Sequence, residues 1–194
     1  MKKIKLFLLG AVICLASDSV LAQNSLHFDG TDDHVTTTFE GILDTADRTF
    51  EAWIYVDGAN VDPADPTRLL NNLAILDYGT TAPFGRNTFI VRKADRYLQF
   101  QAGGALTEVK SWNAIPFDTW THVAFVLDNG ANGPGGNARG TLYVNGIQDG
   151  TGNLEGVNTP PNTDPLFQSL MIGTRTWSTQ PKLPFFGKID EVRI

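Results

Sequence analysis

The chain is poor in cysteine, histidine and methionine, with one Cys, three His and two Met in 194 residues. The single Cys14 sits in an apolar stretch near the N-terminus, so neither a disulfide framework nor a thiolate metal cage is available. His27, His34 and His122 lie on separate segments with no helical or hairpin spacing, which leaves no zinc motif. No apolar run reaches the ~20 residues that a membrane helix needs. There is no Gly-Lys-Ser/Thr phosphate loop and no alternating-Asp calcium loop. Basic residues are outnumbered, with 15 Lys and Arg against 21 Asp and Glu. A net charge of −6 repels phosphate backbones and anionic lipid, which argues against nucleic acid and membrane partners.

What is present begins with a leader. "MKKIK" is a positive n-region and "LFLLGAVICLA" an apolar run too short to span a bilayer. "SVLA" then places Val20 and Ala22 at the −3 and −1 positions of a cut before Gln23. Residues 1–22 therefore read as a signal peptide and residues 23–194 as one exported domain; a retained anchor is the alternative. Cys14 follows Ile13 inside the apolar run, the wrong place for a lipoprotein cysteine. Three Lys and one Asp leave with the leader, which takes the net charge from −6 to −8. The remaining 172 residues have no cysteine, and a domain of that size buries ~70% of its unfolded surface without a staple.

Beyond the leader there is no helical period of useful length. Short alternating runs rich in Val, Ile, Thr and aromatics recur instead: "SLHFD", "HVTTTF", "RTFEAWIYV", "LNNLAILDYG", "NTFIVRK", "RYLQFQ", "TWTHVAFVLD", "GTLYVNGIQDG", "QSLMIGTR" and "FGKIDEVRI". Gly, Asn, Asp and Pro clusters separate them. The pattern predicts an all-β fold, an antiparallel two-sheet jelly-roll sandwich. Asn145-Gly146 predicts a two-residue type I′ hairpin, since both residues tolerate positive φ. Residues 57–68, 129–140 and 155–165 read as long loops. Ile189 and Val192 cannot share one face of a regular strand, so either a bulge sits at Asp190-Glu191 or Asp190 points inward.

Six motifs carry a resemblance: "LHFDGTDDHV" (26–35), "RTFEAWIYV" (48–56), "WTHVAFVLD" (120–128), "GTLYVNGIQDG" (140–150), "SLMIGT" (169–174) and "FFGKIDEVRI" (185–194). In this order the chain resembles the laminin-G-like jellyroll domain of the concanavalin A-like lectin/glucanase superfamily. The resemblance implies two stacked antiparallel sheets with one concave outer face. It also implies further residues after "IDEVRI", so the domain reads as truncated at its C-terminal end and part of a larger secreted or cell-surface protein; a natural end is the alternative.

A structural Ca²⁺ between the first and last strands is a further implication. Asp29 and Asp190 are the natural carboxylates, and Asp32 and Asp33 are available to join them. The alternative is a tight turn at Asp29-Gly30 and a solvated acidic pair. For a sugar ligand the expected contacts are loop aromatics with polar partners: Trp112 with Asn113, Trp177 with Arg175 and Gln180, and more weakly Tyr78 and Phe84. Trp53 and Trp120 sit in strand motifs and read as packed sandwich residues. The superfamily's glucanases use paired carboxylates of a Glu-x-Asp-x-x-Glu type segment, which is missing here, so no catalytic residue is assigned. The expected function is a non-catalytic recognition module for a polysaccharide or glycan. A protein-binding adhesion or spacer domain is the alternative, and a hydrolase or lyase a distant third.

Overall fold

The computed structural model describes residues 24–80, 84–102, 108–130, 138–154, 157–160, 163, 166–175 and 183–194. The leader and most of the Gly-rich 129–140 stretch lie outside the described residues. Fourteen strands follow in order. They are β1 (Leu26–Asp29), β2 (Val35–Thr36), β3 (Arg48–Val56), β4 (Val61–Asp62), β5 (Asp65–Leu69), β6 (Leu73–Gly79) and β7 (Arg86–Val91). Then come β8 (Tyr97–Ala102), β9 (Glu108–Ala114), β10 (Trp120–Asp128), β11 (Ala138–Val144), β12 (Ile147–Leu154), β13 (Gln168–Ile172) and β14 (Phe186–Arg193).

Two six-stranded antiparallel sheets form the sandwich. Sheet A runs β1-β14-β3-β10-β11-β12 and sheet B runs β2-β13-β6-β7-β8-β9. Strand β3 shows why these residues pack as they do. Arg48, Phe50, Ala52, Ile54 and Val56 are all buried, while Thr49, Glu51, Trp53 and Tyr55 alternate to the other face. Phe50 centres the core between the sheets. It meets Tyr78 edge-on at 5.9 Å and stacks with Phe125 at 6.0 Å, and Phe125 in turn stacks on Phe100 at 4.0 Å. Each such phenyl contributes about 1.5–3 kcal/mol on burial.

The hairpin forms as expected: Asn145 (φ 51) and Gly146 (φ 77) join Val144 to Ile147. Two expectations need correction. The 57–68 stretch is no plain loop but holds a 3-10 turn and the β4–β5 ladder. The polar "KSWNA" segment is strand β9, since Val109 and Ser111 are both buried and pair it to β8.

Arg48 ties the core to its rim. Its guanidinium is buried without a carboxylate partner among the described residues and donates to neutral acceptors: the carbonyls of Ile42, Asp44 and Ala46, Tyr78 Oη, Asn87 Oδ1 and Thr159 Oγ1. Among the described residues no helix is long and apolar enough to cross a membrane.

Candidate functional site

The outer face of sheet A carries the residues that alternate away from the core. The register sets Trp53 of β3 between His122 of β10 and Asp190 of β14. Tyr55 stands one pair further along, opposite Trp120 and Lys188. Trp53 is 38% exposed, so its ring is open to a ligand. Tyr55 and Trp120 lie at 5.9 Å with Lys188 Nζ 5.3 Å above the tyrosine ring. Burial and the Asp118 carboxylate beside it push the Tyr55 phenol up.

Ionic groups border these rings. Glu51 accepts from Arg193 Nη1 at 2.9 Å, and its other oxygen lies 3.5 Å from His122 Nε2. Arg193 Nη2 reaches Glu191 at 2.9 Å. The hydrogen bond to Glu51 makes Arg193 still harder to deprotonate. Sequence reasoning placed Trp53 and Trp120 in the core and missed this face. The signal was present: in "RTFEAWIYV" Trp53 shares its parity with Thr49 and Glu51, not with Phe50 and Ile54.

The expected sugar contacts scatter. Trp112 is 58% exposed on β9, an edge strand, not a loop. It lies in a bulge that Ser111 Oγ braces by accepting from Leu98 N at 2.9 Å and donating to Asn113 O at 2.7 Å. Asn113 turns to sheet A and donates to Asp149 Oδ1 at 2.6 Å, clasping the two sheets. Arg175 follows β13, four strand spacings from β9 and so ~19 Å across sheet B. Tyr78 is excluded as a ligand contact. It is fully buried, its hydroxyl donates to Ile42 O at 3.2 Å, and burial raises its pKa. Trp177 and Gln180 lie outside the described residues.

The acidic residues also separate. Asp29 pairs with Phe186 and Asp190 with Trp53, while Leu26 pairs with Ile189. Asp29 and Asp190 are therefore four ladder positions apart, ~13 Å, and cannot share an ion. The irregularity in β14 is the bulge alternative, with Glu191 at φ 47, and it leaves Asp190 on the outer face. Asp29, Asp32 and Asp33 do converge: each offers an oxygen within 4.8 Å of the others, all exposed. Asp33 Oδ2 accepts from Asp29 N at 3.0 Å and Asp29 Oδ1 from Thr31 N at 2.7 Å. Lone pairs remain on all three, so this donor set fits a hard cation that completes its shell with carbonyls and water.

Solved structures share the architecture. A Bacteroides ovatus protein provisionally described as carbohydrate-binding superposes with a TM-score of 0.60 at 22% identity, over 87% of this chain and 43% of that one. Domains LG4-5 of the mouse laminin α1 chain give 0.58 at 12% identity, over 90% and 41%. A heptameric SAP-like pentraxin from Limulus polyphemus gives 0.56 at 16%, over 86% and 73%. The chain thus spans less than half the length of the first two. At these identities the likeness is one of fold. No curated protein sequence matches. The Laminin_G_3 family model matches residues 29–194, and with the sandwich just described the chain belongs to the concanavalin A-like lectin/glucanases superfamily.

Proposed function

We propose that the protein is a non-catalytic glycan-recognition module, exported by its leader and working within a larger extracellular or cell-surface protein. One observation carries the reading: the outer face of sheet A presents Trp53, Tyr55, Trp120 and His122 side by side, bordered by Glu51, Lys188, Asp190 and Arg193. Sugar rings offer C–H faces to an aromatic ring and hydroxyls to flanking polar groups, and this surface supplies both. Trp112 is proposed as a separate edge contact. The carbohydrate binding described for the Bacteroides ovatus relative agrees with this reading without establishing it.

Catalysis is not part of the proposal. Glu51 and Glu191 are bridged by Arg193 and both serve as acceptors. The Glu-x-Asp-x-x-Glu type segment that supplies the acid–nucleophile pair in the superfamily's glucanases is missing from the sequence. A structural Ca²⁺ held by Asp29, Asp32 and Asp33 is proposed as a support for the β1–β2 loop.

The test is a glycan array with the secreted protein, alongside Trp53→Ala and Trp112→Ala. Binding that Trp53→Ala weakens at least about tenfold supports the platform, as expected for the loss of a stacked ring. Binding that only Trp112→Ala weakens moves the site to β9. If no glycan binds, the adhesion or spacer reading takes its place.

A further inference from the structure

The outer face of sheet B hides charge. Asp77 on β6 and Arg86 on β7 are both buried. Asp77 Oδ1 accepts from Arg86 Nε at 3.0 Å and from Thr88 Oγ1 at 2.7 Å, while Oδ2 takes Arg86 Nη2. Gln168 Oε1 accepts from the same Nη2 at 3.1 Å. Both oxygens of the carboxylate are thus engaged by its own pair.

A second guanidinium stands beside this pair. After β13 the chain turns through Gly173 and the buried Thr174 to Arg175, whose carbonyl accepts from Leu183 N at 3.4 Å. Leu183 O in turn accepts from Ala74 N at 3.2 Å, and Leu183 packs on Ala74 and Ile90. That holds Arg175 against the sheet face. Its Nε is buried with no hydrogen-bond partner, and it forms no ion pair among the described residues. The charges it senses are Asp77 and Arg86, and desolvation is the largest influence on it, lowering its pKa.

The other buried arginine Nε atoms have neighbours that they do not share with a second guanidinium. Arg96 donates to Ile115 O at 3.2 Å and lies 4.3 Å over the Phe117 ring. Arg68 has the Asp65 charge beside it. At Arg175 two guanidinium groups share one carboxylate, Asp77, whose oxygens already accept from Arg86 and Thr88. A partly buried cation that shares its counter-charge with a second guanidinium and has an unpaired Nε gains when an anion joins it.

We propose that Arg175 is an oxyanion receptor on the outer face of sheet B, and that it takes the carboxylate or sulfate group of an acidic sugar. The sugar part of this assignment rests on the glycan reading above; the oxyanion part does not. A planar guanidinium suits both groups because its forked donors match two oxygens at once. The acidic surface of the protein does not oppose this at close range, since fields from exposed charges are screened beyond ~8 Å at physiological ionic strength.

The experiment follows thermal unfolding and titration calorimetry of the intact secreted protein. Inorganic sulfate, an oligogalacturonate and a neutral gluco-oligosaccharide of equal length are the probes, at constant ionic strength. Sulfate and oligogalacturonate are expected to raise the melting temperature, and Arg175→Gln to weaken both at least about tenfold, as loss of a charge-assisted pair requires. Without anion, Arg175→Gln is expected to melt no lower than the parent, because it removes a partly buried charge that shares its counter-charge with Arg86. Arg175→Lys keeps the charge but loses the fork, and is expected to fall between. Oligogalacturonate binding that neither variant changes overturns the site, as does a melt that neither anion moves. Affinity for the neutral oligosaccharide alone overturns the receptor and leaves the glycan reading standing. A response to sulfate without oligogalacturonate binding supports the oxyanion receptor and overturns its assignment to an acidic sugar.

Discussion

The imidazole of His122 stands edge-on to the indole of Trp53, with ring centroids 5.4 Å apart and planes at 61°, directly across the β3–β10 pairing. The contact limits how far the half-exposed indole swings. His122→Ala is expected to weaken glycan binding several-fold while lowering stability by only about 0.5–1.5 kcal/mol, the worth of such a ring pair. Calorimetric titration beside a denaturant melt separates the two effects. Equal loss in both would make His122 a structural residue only.

Tyr78 and Phe100 predict the opposite balance. Tyr78→Phe removes an acceptor from Arg48 and the donor to Ile42 O. It is expected to cost about 1–3 kcal/mol, since buried partners are left unsatisfied. Phe100→Ala opens a cavity against Phe125 and is expected to cost about 3–5 kcal/mol. Neither touches the outer faces, so binding per folded molecule is expected to stay unchanged.

How far these residues announced themselves differs by kind. The sandwich was legible because strand alternation and turn residues are local signals: "RTFEAWIYV" gave the bounds of β3 and Asn145-Gly146 its hairpin. Strand β9 was missed because its polar "KSWNA" faces solvent along an edge and shows little alternation. The pairing of Asp29 with Asp190 failed on register, which no single segment states: neighbouring strands do not place their acids opposite one another. Tyr78 was misassigned because its neighbours in "DYGTTAPFGRN" look like loop, while burial of its ring depends on Phe50 and Arg48, distant in sequence. Arg175 was expected beside Trp177 as a sugar contact; that it shares Asp77 with Arg86 appears only once those two residues are seen to pair.

Two glycines with positive φ predict unequal costs. At Gly187 (φ +137) a Cβ would lie 1.9 Å from Tyr55 O, at the first pair of the β14–β3 ladder. At Gly146 (φ +77) nothing lies within 4 Å. Gly146→Ala is expected to cost about 1 kcal/mol from backbone strain alone. Gly187→Ala is expected to cost more than about 2 kcal/mol, because the ladder itself must shift. Comparable melts for the two variants would contradict this register.

Asp65 supplies a pH test. Thr67 donates to its Oδ1 from Oγ1 at 2.7 Å and from N at 3.0 Å, and the hydroxyl bond is the main reason its pKa is lowered. Folding therefore favours the charged form. The resulting stability is present above the ordinary Asp range and is lost as pH falls through the lowered value. Thr67→Ala is expected to raise the Asp65 pKa in an NMR titration and to destabilise at neutral pH but not in strong acid. A Thr67→Ala penalty that persists in acid would count against the hydrogen bond as its source.

The β1–β2 loop gives a metal test. With calcium at a hundred times its dissociation constant, a native-only site adds about 2.7 kcal/mol. Asp32→Asn and Asp33→Asn are expected to reduce the rise in melting temperature between chelator and Ca²⁺. Asp190→Asn is expected to leave it intact, as the register separates that residue from the loop. A melt indifferent to Ca²⁺ removes the ion from the account.

Strand β14 lies between β1 and β3, so a segment far along the chain fills the gap between the two earliest strands of sheet A. Until Phe186–Arg193 arrives, β1 has no neighbour and β3 exposes a bare edge. Phe28 and Ile189 enter the same core only at that moment. Closure of sheet A is therefore a long-range event: the β6–β9 meander can assemble from local contacts, but sheet A closes only when β14 pairs with strands more than a hundred residues earlier, a slow kind of contact formation.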